Sequence, residues 1–196
     1  PAADPNLVLR VAVAAAEFGL PIAPGTLRNL KKCPIGDRNW TDESRELFIR
    51  LLASGPALLN VWEDIDFIDV PGKLIPEWLG VRNRPSASAA HRYTIDRHMV
   101  EVVTRLGRET PSGGRYDDRH YEALLLAGIL HDIGKRPGVA NHAAEGARHA
   151  TVVVERMGFD RDIVRWVTLL VREHLTLSEF ATGRNPNDPN VGDDLA

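Results

Sequence analysis

The chain has 196 residues, of which 43% are hydrophobic, 26% charged and 6% aromatic, and its formal net charge is −3. This balance is typical of a globular protein and excludes a disordered or fibrous chain. Basic blocks and apolar runs of about 20 residues are absent, so we expect neither nucleic acid nor a membrane as a partner. A lone cysteine, Cys33, excludes an internal disulfide and suits a reducing cytosol, which predicts a cytoplasmic protein.

The first half of the chain is predicted to be helical. Proline, threonine and glycine residues mark the beginnings or ends of four predicted helices. These helices run from Leu7 to Phe18, from Pro24 to about Lys32, onward from Thr41, and onward from Gly55-Pro56. The stretch from Val70 to Pro85 is rich in proline and glycine and predicts short helical turns at most. Trp62 and Trp78 are expected to anchor the core.

The second half predicts four more helices with clearer apolar stripes. They are expected from Thr94 or Tyr93 to about Leu106, from Asp117 or Asp118 to His131, from about His142 to Met157, and from Asp160 to about Leu175. Because alternation with a period of two is absent, the fold class is predicted to be all-α. We place a domain boundary in the proline-rich stretch near residues 80–90, which separates a helical linker region, 1–90, from a second domain, 91–196.

Four of the seven histidines fall on the inner faces of these helices, namely His98, His131, His142 and His174. A single histidine on an apolar face is usually a hydrogen-bonded core residue. Four buried without partners would cost on the order of 1–3 kcal/mol each, and metal coordination would use all of them. Asp132 follows His131 and adds an oxygen ligand, and such a set without sulfur suits Mn, Fe, Mg or Zn in a catalytic site.

The other three histidines are interpreted as surface or supporting groups. His91 follows a Ser/Ala-rich loop, His120 lies on a polar helix start, and His149 is one position away from the apolar stripe of its helix.

A known signature stands at residues 131–135, which read HDIGK. It resembles the motif of the HD-domain metal-dependent phosphohydrolase superfamily. Other segments resemble, in order and spacing, the HD region of actinobacterial bifunctional uridylyltransferase/uridylyl-removing enzymes, which modify PII signal proteins. These segments are residues 74–78, 81–85, 93–98, 141–146 and 171–175.

This resemblance implies an HD-domain helical bundle preceded by a smaller helical linker. It implies His98, His131 and Asp132 as ligands of a first divalent metal, and His142 and His174 as ligands of a second. The ions would be Mn, Mg or Fe, with Zn as an alternative. The implied reaction removes UMP or AMP from a tyrosine of a PII protein, with Asp132 as a catalytic residue.

Lys135 matches the lysine of the motif, which the resemblance implies contacts the phosphate and takes part in catalysis. The chain departs from the family pattern elsewhere. Asn141 replaces an aspartate, which is expected to weaken the orientation of His142, and residues 183–185 read GRN where the family has two arginines and an aspartate. The latter departure removes a charge close to the expected site.

The family's final aspartate ligand is expected in a further helix beyond Ala196. Asp188, Asp193 and Asp194 are nearby but lack its context. Both ends are therefore predicted to be cut ends of a longer protein, and the chain is expected to be less active than a longer form. Signatures of a nucleotidyltransferase or ACT domain are absent, so transferase activity is not expected.

Two alternatives stay open at this point. The chain could be an HD module that binds nucleotide or a partner protein without turnover, which its metal content would reveal. It could also be an HD phosphohydrolase that acts on a free nucleotide, which a panel of free nucleotides would reveal.

Overall fold

The computed structural model describes residues 4–33, 35, 40–86, 93–107 and 118–183. Within these residues the structure is helical, and the only extended pairing described is one isolated antiparallel bridge between Pro85 and Thr94. The predicted all-α fold is therefore confirmed. No helix in the described part of the chain combines the length and the hydrophobicity that crossing a bilayer requires.

Ten α-helices and one 3₁₀ helix, Pro76–Gly80, make up the described chain. The α-helices are α1 Leu7–Phe18, α2 Pro24–Leu30, α3 Asp42–Leu52, α4 Ala57–Phe67, α5 Val70–Leu74, α6 Ile95–Leu106, α7 Asp118–Leu130, α8 His142–Arg156, α9 Arg161–Arg172 and α10 Thr176–Gly183.

Local signals explain several helix ends. Gly19 follows α1 with φ at 62°, a left-handed conformation that glycine adopts without steric cost. Thr41 caps α3 in a capping box with Ser44. The carboxylate of Asp160 accepts hydrogen bonds from two backbone N–H groups at the start of α9. These helix ends confirm the sequence-based expectations.

Two predicted helices end earlier than expected. The sequence pattern extends α7 to His131 and α9 to about Leu175, but the helices end at Leu130 and Arg172. His131 and His174 therefore lie in the turns that follow these helices. A ring nitrogen of each histidine forms a hydrogen bond with a carbonyl oxygen of the last helical turn. In a continuing helix, a backbone N–H group would donate to that oxygen instead. Helix α10, which directly follows the second turn, was not predicted.

One hydrophobic core includes residues from both halves of the chain. Helix α1 packs on α3 and α4, helices α6, α7, α8 and α9 pack in succession, and α4 with α6 and α3 with α7 join the two sets. The predicted core anchors are confirmed, since Trp62 and Trp78 are buried and their rings meet edge to face at 5.4 Å. The division at residues 80–90 stays a prediction, and residues 87–92 lie outside the described chain.

Polar contacts attach the 3₁₀ helix to the second half. The guanidinium of Arg156, at the end of α8, donates to both carboxylate oxygens of Glu77 at 2.8 and 2.6 Å. Arg136 donates from Nη2 to the Glu77 carbonyl at 2.8 Å. A two-pronged pair between arginine and carboxylate fixes geometry better than a single contact. Residues 76–80 are thus held beside the loop that contains the HDIGK motif.

The core gives a direct test of this packing. Phe48 is fully buried and its ring packs edge-on against Trp40 at 5.5 Å, whereas Phe67 is 78% exposed. We expect Phe48→Ala to lower the free energy of unfolding by about 3–5 kcal/mol, because it removes apolar contact and leaves a cavity. Phe67→Ala should change it by about 0.5 kcal/mol or less. Urea denaturation of both variants measures this, and equal losses would contradict the described core.

Candidate metal centre

A buried carboxylate lies at the centre of the histidine cluster. The side chain of Asp132 is 1% exposed, and its Oδ2 atom lies 3.8 Å from Nε2 of His98 and 3.4 Å from Nε2 of His131. Its Oδ1 atom lies 3.4 Å from Nε2 of His174 and 4.0 Å from Nε2 of His142. Each carboxylate oxygen therefore faces two imidazole rings.

The five side chains form two groups. Within each group, the possible ligand atoms all lie within 4.8 Å of one another. One group is His98, His131 and Asp132, and the other is Asp132, His142 and His174. Because Asp132 belongs to both, the arrangement suits two cations that share one carboxylate, as in two-metal hydrolytic sites. All five predicted metal ligands are brought together, and their role as ligands stays a prediction.

Helix-end carbonyls orient two of the rings in the same way. Nδ1 of His131 lies 2.9 Å from the carbonyl oxygen of Gly128, and Nδ1 of His174 lies 2.7 Å from that of Val171. A ring nitrogen this close to a carbonyl oxygen carries the hydrogen and donates it. The Nε2 atom of each neutral ring then presents its lone pair toward Asp132. In histidines that bind metal through one ring nitrogen, the other ring nitrogen usually donates a hydrogen bond in this way.

Several buried polar atoms at this site have no hydrogen-bond partner, which tests whether a cation fits. They are Oδ1 of Asp132, Nε2 of His142 and Nε2 of His174. Lone pairs and a carboxylate that face one another at 3.4–4.0 Å without a hydrogen bond are unfavourable unless positive charge lies among them. Nitrogen and oxygen donors without sulfur fit a divalent cation of the catalytic kind.

The electrostatics of the cluster centre on the same carboxylate. Burial alone would raise the pKa of Asp132, but contacts with His131, His174 and Lys135 outweigh burial and hold the pKa far below its usual range. Burial and the Lys135 charge lower the pKa of His142. Burial acts against protonation of His174 too, but Asp132 and the Val171 carbonyl raise its pKa overall. The metal-free site therefore already attracts positive charge.

Lys135 supplies one such charge. Its Nζ atom lies 2.7 Å from Oδ2 of Asp132, and its backbone N–H donates to the Asp132 carbonyl at 2.9 Å. The two residues predicted to be catalytic are thus in direct contact on one turn. Their catalytic roles stay a prediction.

Gly134 allows the turn that contains Asp132 and Lys135 to pack closely against the start of α8. A Cβ atom at Gly134 would lie 2.3 Å from the carbonyl oxygen of His142 and 2.4 Å from the backbone nitrogen of Gly146. No larger residue fits without displacing the backbone. Asn141, for which weaker orientation of His142 was expected, caps α8 through its Oδ1 atom, which accepts from the Ala144 N–H at 2.9 Å. Its side chain therefore holds the helix that begins with His142.

The remaining predicted positions lie elsewhere. His120 stacks on Trp166 with ring centroids 4.2 Å apart, and Nε2 of His149 lies 3.0 Å from a carboxylate oxygen of Glu145. Neither histidine belongs to the two ligand groups. The other positions lie outside the described residues, namely His91, Arg184, Asn185, Asp188, Asp193 and Asp194.

Two arginines near the centre were missed. Arg84 and Arg136 line a cleft beside Lys135 and His142. Arg136 directly follows the HDIGK motif, and Arg84 lies in one of the segments that resemble the family. Their charge was visible in the sequence, but the position of Arg84 in the same cleft as His142 depends on long-range packing.

The opposite pKa shifts of two histidines can be measured. In the metal-free protein we expect His174 to titrate above its ordinary value of 6.5 and His142 to titrate below it. Because the pKa of His174 is raised by folding, its stabilising contribution is full below about pH 6.5 and is lost as the pH rises through the raised pKa.

NMR titration of the imidazole resonances in the presence of EDTA measures both values. Asp132→Asn should lower both pKa values, because it removes the negative charge that favours each protonated ring. A pKa for His174 below that of His142 in the unsubstituted protein would contradict the described electrostatics.

No protein-family model matches the chain. Curated relatives that are named bifunctional uridylyltransferase/uridylyl-removing enzyme match most of the chain. The protein from Streptomyces coelicolor is 40% identical over 192 residues, which cover 96% of this chain and 22% of the relative. The protein from Mycobacterium tuberculosis is 38% identical over 192 residues, 97% of this chain and 23% of the relative.

A third relative, from Corynebacterium glutamicum, is 32% identical over 195 residues, which cover 98% of this chain and 27% of the relative. The chain thus spans about a quarter of the length of these curated relatives. It belongs to the family of bifunctional uridylyltransferase/uridylyl-removing enzymes, as a homologue of one segment of them.

Proposed function

We propose that this chain provides the uridylyl-removing site of its family: a metal-dependent hydrolase that releases UMP or AMP from a tyrosine of a PII signal protein. The observation that carries the proposal is the sharing of one buried carboxylate, Asp132, by two groups of potential ligands. The names of the relatives support it, since they pair a transferring with a removing activity. The proposed partner is the nucleotidylated PII protein.

Each group of ligands would hold one divalent cation. His98, His131 and Asp132 would hold the first, and Asp132, His142 and His174 the second. When bound, such cations supply Lewis acidity and lower the pKa of water toward neutrality. Imidazole-rich sites suit Fe or Zn, and carboxylate suits Mn or Mg, so this mixed set favours Mn or Fe over Mg, which prefers oxygen ligands.

The proposed reaction is the hydrolysis of a phosphodiester. Water supplies an OH group to phosphorus, the bond between phosphorus and the tyrosyl oxygen breaks, and the remaining proton ends on that oxygen. The products are a nucleoside monophosphate and an unmodified tyrosine. With a pKa of about 10, the phenol is a fair leaving group. Lys135 would neutralise charge that develops on the non-bridging oxygens, and Asp132 would position the cations.

Metal content tests the assignment of the ligands. We expect about two Mn²⁺ ions per chain in the unsubstituted protein and about one in His98→Ala or His142→Ala, because each variant removes one group's ligand. Asp132→Ala should retain neither, since both groups lose the shared carboxylate. Calorimetric titration followed by elemental analysis measures this.

His149→Ala is the matched control, because His149 belongs to neither group, and it should keep the full content. Unchanged metal content in Asp132→Ala would contradict the shared site.

Activity tests the reaction. With Mn²⁺ and uridylylated or adenylylated PII protein, we expect release of UMP or AMP. We expect Lys135→Gln to lower kcat about a hundredfold, because it removes a charge at the developing phosphate anion. His120→Ala, which alters a ring stacked on Trp166, should leave the rate unchanged. Quantifying the released nucleotide by chromatography measures both variants.

Other outcomes decide between the alternatives. Equal release by Lys135→Gln and the unsubstituted protein would contradict the role of the lysine. Turnover of free nucleotides but not of modified PII would replace the proposed substrate class. Binding of nucleotide without metal or turnover would indicate a binding module.

A further inference from the structure

Two clefts adjoin the candidate metal centre, and Lys135 lines both. The first, called here the cationic cleft, measures about 650 Å³, and its lining includes Arg84, Lys135, Arg136 and His142 beside several apolar residues. The second, the apolar cleft, measures about 480 Å³. It is lined by side chains of the centre and by the apolar residues Val102, Leu106, Leu124, Ala127 and Leu170. Both volumes are in the range of small-ligand sites.

Positive charge in the cationic cleft is only partly compensated. Within the described residues, the guanidinium of Arg84 makes no hydrogen bond or ion pair, and that of Arg136 makes no ion pair. Nη2 of Arg136 donates to the Glu77 carbonyl, and its Nε atom is buried against Gly80. Among the described residues that line this cleft, none carries a carboxylate. An anionic ligand would complement this lining.

Arg84 is held in place by its backbone. Its carbonyl oxygen accepts a hydrogen bond from the N–H of Ile95 at 2.9 Å, and its own N–H donates to the Val81 carbonyl at 3.1 Å. These bonds tie residue 84 to the first turn of α6, the helix that also carries His98. The backbone of Arg84 is therefore fixed relative to α6, and its side chain extends from this fixed position into the cationic cleft.

The apolar cleft adjoins the same centre through other side chains. It reaches His98, His131 and His174, and side chains of α6, α7 and α9 form its walls. Leu170 of α9 is 40% exposed although it is a large apolar residue. An aromatic ring would bury against this lining and present its oxygen to the centre.

We propose that the nucleotidyl part of the substrate binds in the cationic cleft, with Arg84 and Arg136 as its anion-binding residues, and that the tyrosyl ring binds in the apolar cleft. The scissile phosphodiester then lies across Asp132. This orientation rests on the proposed hydrolysis of a nucleotidylated tyrosine. It assigns the nucleoside monophosphate product to the cationic cleft.

Product binding tests the cationic half without any metal. Binding of UMP, AMP and inorganic phosphate is measured by calorimetry in the presence of EDTA. We expect Arg84→Gln to weaken UMP or AMP binding about tenfold or more, because a charge-assisted hydrogen bond is lost. Arg165→Gln, an exposed arginine of α9 that lines neither cleft, is the matched control and should bind as the unsubstituted protein does.

The inorganic phosphate measurement shows which part of the nucleotide Arg84 contacts. A similar loss of affinity for inorganic phosphate supports Arg84 as an anion-binding residue. A loss for the nucleotide alone shows contact with the nucleoside and would overturn that role. Unchanged nucleotide affinity in Arg84→Gln would overturn the proposal.

The neighbouring leucines of α9 test the apolar half. Leu170 lines the apolar cleft, whereas Leu169 is 55% exposed and does not. We expect Leu170→Asn to raise KM for nucleotidylated PII about fivefold while leaving UMP affinity unchanged, since it removes apolar contact from the ring. Leu169→Asn should alter neither. Weaker UMP binding in Leu170→Asn, with normal binding in Arg84→Gln, would reverse the assignment and overturn it.

Failure of this orientation and failure of the proposed function are distinguishable. If modified PII is turned over but nucleotide affinity does not depend on Arg84, the proposed function is supported and the proposed orientation is contradicted. Nucleotide binding that depends on Arg84, without turnover of any modified protein, supports the cationic cleft and removes the proposed hydrolysis.

Discussion

The structure of the candidate site depends on the burial of one carboxylate among basic side chains. Asp132 is 1% exposed, and a buried anion is tolerated only where opposite charge or strong hydrogen bonds compensate for lost hydration. Lys135 provides that compensation at Oδ2, where its Nζ atom lies 2.7 Å away. Oδ1 instead faces the unpartnered Nε2 atoms of His142 and His174, so a cation would compensate the carboxylate on this side.

The same local device places two of the rings. His131 and His174 each follow the end of a helix, and each ring donates to a carbonyl three residues earlier. The helix end gains a partner for a carbonyl that would otherwise lack one, and the ring loses rotational freedom. The same hydrogen bond therefore ends each helix and orients its histidine ring. His98 and His142 lie on helices instead and depend on the packing of α6 and α8.

The sequence was sufficient wherever short-range chemistry decides the structure. The capping threonine at residue 41, the glycine at residue 19 and the HDIGK motif all act on their immediate neighbours, so the helices and the histidine cluster could be predicted. The predicted ends of α7 and α9 were wrong because histidine side chains compete with backbone N–H groups for carbonyl oxygens. The spacing of apolar residues carries no information about this competition. The position of Arg84 beside His142 depends on contacts between segments about 58 residues apart, which no local pattern encodes.

The contact between Glu77 and Arg136 has a mechanical consequence. The 3₁₀ helix is attached both to the turn after the HDIGK motif and, through Arg156, to the far end of α8. Trp78 in the same helix is embedded in the core, so this attachment has little freedom to move independently. The carbonyl of Glu77 therefore helps to hold Arg136, the residue next to Lys135, in place. Residues 76–80, which belong to the first half of the chain, thus support one side of the cationic cleft.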